Sequence, residues 1–203
     1  MIKLIKYSLA LFIKMKNEID RQKMILDGLK PGMVLDLGSQ DMPGNRKESL
    51  HGFLIRNWKG KVIGIDYQKG EHVDIVTDLD KKFPFKDNYA ENIVAGELIE
   101  HLLNPHEFLK ECYRVIKPGG RLILTTPNAT GLQIITGKES PYHYFVLSKK
   151  NLNLLAAKSG FKKIDIKYLH VFFKRNLLFR GLGFLAPKLR PVLFAVMEKE
   201  NEN

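Results

Sequence analysis

The sequence predicts an α/β fold with a doubly wound, mostly parallel sheet. Two observations carry that expectation. Short apolar segments bounded by Gly, Pro and Asp alternate with stretches whose apolar residues recur at helical spacing, the signature of strand–helix–strand units. Acidic residues also stand at the ends of the first three apolar segments, at Asp36, Asp66 and Asp78. Open α/β sheets bind their ligands there, outside the carboxyl ends of the strands and near the topological switch point.

The elements follow in order. Met33–Leu37 is short and apolar, lies between Pro31-Gly32 and Gly38, and reads as a buried strand. Residues 45–58 carry Leu50, Phe53, Leu54 and Trp58 at helical spacing. Lys61–Ile65 is the second strand and ends at Asp66; Val73–Thr77 is the third and ends at Asp78; Asn92–Ala95 is a short fourth. Asn104 and Pro105 open a helix as N-cap and first helical residue, with Phe108, Leu109, Cys112, Val115 and Ile116 on its apolar face. Pro118-Gly119-Gly120 stops that helix, and Arg121–Thr125 is the fifth strand. Ser148 caps another helix, with Leu152, Leu155 and Ala156 inward and Gly160 at its end. Lys163–Tyr168 and Val192–Met197 are the last two strands.

The 203 residues suffice for one domain with a full core, and 44% hydrophobic with 27% charged residues is ordinary for a globular protein. A single cysteine, Cys112, excludes an internal disulfide and gives no sign of an oxidising compartment. The apolar run Tyr7 to Ile13 is short, Lys14 interrupts it, and no small-x-small cleavage site follows, so it does not read as a signal peptide. No stretch is long enough to span a bilayer, and the expected location is the cytoplasm. The net charge of +11 suits an acidic partner, and equally a lysine-rich surface that aids solubility.

The three aspartates suggest the chemistry of the ligand. A carboxylate after the second strand, Asp66, can accept both hydroxyls of a ribose. Dinucleotide-binding turns carry G-x-G-x-x-G after the first strand, because the backbone must approach a pyrophosphate. Here that turn reads Asp36-Leu37-Gly38-Ser39-Gln40-Asp41, with one glycine. A carboxylate at Asp36 repels a pyrophosphate and attracts the cationic amino group of a methionine-like ligand. Any one of these aspartates alone is an ordinary former of strand-end turns; it is their order that points to a ligand.

The segments VLDLGSQDMPG, VIGIDYQ, DIVTDLDKKFPF, ELIEHLLNPHEFLKECYRVIKPGGRLILTTPN and HYFVLSKKNLNLLAAKSGF resemble successive motifs of class I S-adenosylmethionine-dependent methyltransferases. The branch with ubiquinone-biosynthesis O-methyltransferases and small-molecule and glycan methyltransferases is the nearest in kind. The resemblance covers about residues 30–165, and the block from Glu97 to Asn128 is its most specific part. It implies a Rossmann-like sheet of seven strands with the last antiparallel, and S-adenosylmethionine as cofactor. It also implies that Asp36 and Gly38 lie by the methionine part of the cofactor, with Ser39 in the turn as a further cofactor-binding residue. Asp66 would bind the ribose hydroxyls, Tyr67 pack on the adenine, Asp78 accept the adenine amino group, and Leu79 add a backbone contact. Ala95, Gly96 and Glu97 would line the sulfonium end. One departure is visible: the family has further glycines or small residues after Gly38, whereas Gln40 and Met42 stand here.

Glu97, Glu100 and His101 are spaced i, i+3, i+4 and would share one face of a helix. A similar Glu-x-x-Glu-His in the ubiquinone O-methyltransferases is linked to a divalent cation; the expectation for this chain is cofactor-pocket structure and no metal. His101 and His143 are candidate general bases, since a neutral imidazole takes a hydroxyl proton near pH 7; either is equally readable as a packed histidine. Methyl transfer needs little beyond placement and proton removal, so the lack of a catalytic triad does not exclude activity.

The expected organisation is a single domain, residues 1–203, with an N-terminal helical segment 1–29, a cofactor-binding core 30–169, a basic aromatic insertion 170–190, and a last strand and tail 191–203. The expected acceptor is a small molecule, lipid or glycan, methylated at oxygen, in a pocket built by residues 127–145. An RNA or protein methyltransferase and a non-catalytic partner protein are the alternatives; no RNA-binding module or zinc cluster is recognisable, so nucleic acid ranks lower. Asp36 and the missing glycines disfavour a nicotinamide dehydrogenase. Lys3, Lys6 and Lys14 oppose Ile2, Ile5, Leu9, Phe12 and Ile13 on a helical projection, and residues 170–190 combine five basic residues with Phe172, Phe173, Phe179 and Phe184. Both segments suit peripheral contact with an anionic membrane surface.

Overall fold

The computed structural model describes residues 21–40, 49–137, 140–169 and 186–201. The amphipathic stretch before residue 21, and residues 170–185 of the basic aromatic segment, lie outside the described residues. Among those described, no helix is long and apolar enough to cross a membrane.

The chain alternates strand and helix: residues 21–28 are helical (α1), followed by β1 (Val34–Leu37), α2 (Leu50–Asn57), β2 (Val62–Asp66), β3 (Ile75–Val76) and β4 (Ala90–Gly96). Then come a 3-10 turn at Ile99–His101, α3 (Pro105–Val115), β5 (Ile116–Pro127), the short α4 (Leu132–Ile135), α5 (Lys149–Lys158), β6 (Lys163–Leu169) and β7 (Val192–Glu198). The seven strands form one sheet in the order β3-β2-β1-β4-β5-β7-β6. β1 pairs in parallel with β2 and β4, and β5 pairs in parallel with β4. β7 runs antiparallel to both β5 and β6. The sheet is therefore Rossmann-like and mostly parallel, with its last strand reversed. The chain builds outward from β1 to β3, then returns to lay β4 on the other side of β1, which opens a crevice at the ends of β1 and β4.

Both faces of the sheet are covered. On one, Phe108, Leu109, Cys112 and Val115 of α3 and Leu152 and Ala156 of α5 pack with Leu35, Ile93, Leu122 and Leu124. On the other, Ile25 and Leu29 from the first helical segment and Leu54 of α2 pack with Val34, Val94, Ile123 and Phe194. Each such side chain contributes about 1.5–3 kcal/mol on leaving water.

Ser148 caps α5 as its sequence position predicts, accepting from the Asn151 amide, and Gly160 closes that helix at φ +110°. Three local expectations need correction. Asn104 holds the N-cap position of α3 without a side-chain capping bond; its own amide donates instead to Asp80 Oδ1 at 2.9 Å. Pro118-Gly119-Gly120 is not a break between helix and strand: β5 starts at Ile116, directly after α3. Gly119, at φ +76°, donates to the Lys199 carbonyl, and the Lys199 amide donates to the Gly120 carbonyl. The run is held by an extension of β7, which sequence spacing does not reveal. The inward face of α2 also differs, because its buried residues are His51 and Leu54, with Phe53 half-buried.

Candidate functional site

The crevice is built from three strand ends. After β1 the chain turns through Gly38, whose φ of +75° is a left-handed conformation suited to glycine. The Gly38 and Ser39 amides donate to the Ile65 carbonyl at 2.8 and 3.2 Å, and Ser39 Oγ donates to the His72 carbonyl at 2.8 Å. The Gln40 amide donates to Asp66 Oδ2 at 3.1 Å, and the Tyr67 amide to Asp66 Oδ1 at 2.7 Å. Asp66 is thus fixed at the end of β2, buried, by the turn after β1 and by the chain that follows it.

The sequence offered Asp36 as a partner for a cationic ligand. Its carboxylate is instead buried against His51, with Nδ1 2.9 Å from Oδ2. Burial pushes the Asp36 carboxyl above its ordinary range, and His51 pulls it back. His51 was missed in the sequence; the signal was a polar residue on the inward stripe of α2. Its ring also lies 5.3 Å from that of His72. Asp78 is exposed, accepts from the Asp80 amide and sits 3.0 Å from Lys81, which holds its carboxyl below the usual range. Leu79 is buried in the core, while Tyr67 is 66% exposed at the rim.

The end of β4 carries the second half. Gly96 faces Leu50, and a Cβ on it would come within 2.9 Å of the leucine. Glu97 follows at φ +54°, a left-handed conformation that costs a non-glycine residue about 1–2 kcal/mol. Such strain gathers where backbone geometry serves a ligand. The expected single helix face for Glu97, Glu100 and His101 does not form: the chain runs strand, left-handed residue, then a 3-10 turn from Ile99. Glu97 is 3.9 Å from Arg21, and burial raises its carboxyl against the pull of that arginine. Glu100 is buried beneath, accepting from Thr126 Oγ1 at 3.0 Å. Burial first, and the negative charge of Glu97 second, push its carboxyl up to about 8.

His101 Nδ1 donates to the Tyr142 carbonyl at 2.9 Å, which leaves Nε2 of the neutral ring as an acceptor. The His101 and His143 rings meet edge to face at 5.0 Å. The Tyr144 and Phe145 amides point to the Glu100 carbonyl, at 2.8 and 3.3 Å. The two candidate histidines, far apart in sequence, are thereby brought together on one wall of the crevice. Ligand atoms of Glu100, His101 and His143 lie within 4.8 Å of one another, so His143, rather than Glu97, completes the cluster.

The residues fit a cationic cofactor. Glu97 Oε1, Glu100 Oε1 and Thr125 Oγ1 are buried with no hydrogen-bond partner among the described residues, and such atoms are costly unless a ligand meets them. Asp66 and Glu97 make the strand ends acidic, an environment that opposes a pyrophosphate and favours a sulfonium and an ammonium.

A reversed last strand in an otherwise parallel sheet is a Rossmann-like architecture, and its acidic strand ends gather around the switch point. Comparison with known proteins shows what it is similar to. Residues 50–124 match the family model described as a methyltransferase domain. A protein of Mycolicibacterium smegmatis, described as a probable S-adenosylmethionine-dependent methyltransferase, is 30% identical over 124 residues, covering 55% of this chain and 48% of its own length. The mitochondrial ubiquinone biosynthesis O-methyltransferase of Rattus norvegicus is 47% identical over 45 residues, covering 22% of this chain and 13% of its own. The crystal structure of a SAM-dependent methyltransferase from Archaeoglobus fulgidus superposes with a TM-score of 0.66 at 17% identity, covering 94% of each chain. Over these stretches the chain is similar to S-adenosylmethionine-dependent methyltransferases. It spans about half or less of the length of the curated relatives it matches.

Proposed function

We propose that the protein is an S-adenosylmethionine-dependent methyltransferase acting at oxygen on a small-molecule, lipid or glycan acceptor. The observation that carries this reading is the acidic crevice at the switch point between β1 and β4, where Glu100 Oε1 is buried without a hydrogen-bond partner among the described residues. Asp66 would hold the ribose hydroxyls, Asp78, Leu79 and Tyr67 the adenine, and Gly38, Ser39, Gly96 and Glu97 the methionine end. The bound cofactor supplies a methyl group already activated on a sulfonium. The chain's own task is to align the acceptor oxygen and remove its proton. His101 suits the second role, since its Nδ1 proton is committed to Tyr142 and Nε2 is left to accept. The segment 127–145 suits the first: it is tied to Glu100 by two amides and exposes Tyr142 and Tyr144 beside the histidines.

Calorimetry with S-adenosylhomocysteine tests the cofactor assignment. Asp66→Ala is expected to weaken binding at least about tenfold, the loss of hydrogen bonds to a charged acceptor. Wild-type protein that binds NAD and not S-adenosylhomocysteine overturns the reading. Once an acceptor is in hand, His101→Ala is expected to lower kcat about a hundredfold while cofactor affinity stays level. A complex in which the acceptor touches none of residues 127–145 overturns the acceptor pocket.

A second reading is favoured by one observation, the clustering of Glu100, His101 and His143 ligand atoms within 4.8 Å. A divalent cation there would assist loss of the acceptor proton in place of a free imidazole. Chelation separates the two: activity that survives EDTA supports the imidazole base, and activity lost to EDTA and restored by magnesium or zinc supports the cation.

A further inference from the structure

Asp36 and His51 form a buried pair at the base of the crevice, each side chain 2% exposed, with Nδ1 and Oδ2 2.9 Å apart. His51 comes from the first turn of α2 and Asp36 from β1, so the contact joins that helix to the strand. Space for it is made by Gly64 in β2. A Cβ on that glycine would lie 1.9 Å from the His72 carbonyl oxygen, 2.8 Å from Ser39 Oγ and 2.9 Å from His51 Cε1. Three groups from three segments converge in the gap that one missing methyl leaves.

From that gap, contacts run out to the ligand edge. Ser39 is tied to His72, Gly38 and Ser39 to Ile65, and Gln40 to Asp66. The turn after Asp36 therefore ends on the carboxylate assigned to the ribose. In place of the small residue that the family pattern carries, Gln40 lays its amide against Gly70, where a Cβ would meet Nε2 at 2.6 Å. A turn that carries a long side chain depends more on partners that fix its base.

We propose that His51 is a positioning residue for cofactor capture: its ring N–H, donated to Asp36, holds the end of β1 so that the Gly38–Gln40 turn keeps Asp66 aligned. Asp36 then acts as the acceptor of His51 and not as a contact for the ligand. The proposal rests on the S-adenosylmethionine reading above.

Two near-isosteric variants test it. His51→Asn keeps a donor at the place of Nδ1, whereas His51→Gln moves the donor to the place of Nε2. Melting temperature and S-adenosylhomocysteine affinity are measured for both. The expected result is that H51N binds within about threefold of wild type and H51Q at least about tenfold more weakly, with the two melting within a few degrees of each other. A purely structural histidine gives equal affinities for the two variants, and that result overturns the proposal. If wild-type protein does not bind S-adenosylhomocysteine, the cofactor reading fails by itself. Amide exchange at Gly38–Gln40 in the free protein then decides the positioning role: faster exchange in H51Q than in wild type and H51N supports it, and equal exchange overturns it.

Discussion

Gly64→Ala is expected to be among the most damaging single-methyl changes in this protein. The new Cβ would sit 1.9 Å from a backbone carbonyl oxygen, that of His72, which cannot swing aside as a side chain can. β2 is bonded to this segment in both directions, since Gly64 N donates to Asp74 Oδ2 at 2.7 Å and Asp74 N to the Gly64 carbonyl at 2.9 Å. Relief requires moving the strand, the His72 loop, or both. The cost should reach about 3 kcal/mol or more, a fall of roughly 6–12 °C in melting temperature for a chain of this size. Gly70→Ala is the control. Its Cβ would meet only the end of the Gln40 side chain, which can rotate away, so melting should change little. Thermal melts of the two variants side by side check this, and equal losses would show that the Gly64 contact is not the cause.

Glu100→Gln is expected to raise stability in a pH-dependent way, measured with EDTA present. The Glu100 carboxyl titrates near 8 in the folded protein against an ordinary 4.5. Between those values the folded chain holds a proton that the unfolded chain has released, so wild-type stability falls as pH rises from about 4.5 to 8. An amide does not titrate. The two proteins should melt together near pH 5, and the variant should melt higher by pH 8, after which the gap levels off. At about 1.4 kcal/mol per pH unit, the full gap is on the order of 3–5 kcal/mol. A gap that does not change between pH 5 and 8 would mean that Glu100 is ionised throughout.

The central strands β1, β2 and β4 were legible because their cores are short and apolar, and α3 because its apolar stripe has one face to bury; β3 is only two residues long and β5 runs to twelve. Asp66 could be placed from order alone, since it follows the second apolar segment and lies at the end of β2. Asp36 could not. What it touches depends on His51, which a loop returns to the same point, and periodicity marks which side of a helix is inward without saying what polar group it meets there. The same holds for His143, which meets His101 where the Tyr144 and Phe145 amides donate to the Glu100 carbonyl and the His101 ring donates to the Tyr142 carbonyl. Glu97, Glu100 and His101 failed as a helix face because i, i+3, i+4 spacing has meaning only in a regular helix, and a left-handed residue begins the segment. The Pro-Gly-Gly run was misjudged for a related reason: its partner, Lys199, lies in a part of the chain that spacing cannot bring near.

The position of β7 has a consequence for the order in which the protein is made. β7 lies between β5 and β6 and pairs with both along Val192–Glu198. β6 is therefore translated before the strand that joins it to the sheet. Until Val192–Glu198 is in place, Lys163–Leu169 has no sheet neighbour and the outer edge of β5 is open. Unpaired edges of that kind invite pairing with other chains, and long-range closure of this sort is slow. A chain folding without β7 is therefore open to such pairing until the strand in the middle of that half of the sheet fills the gap.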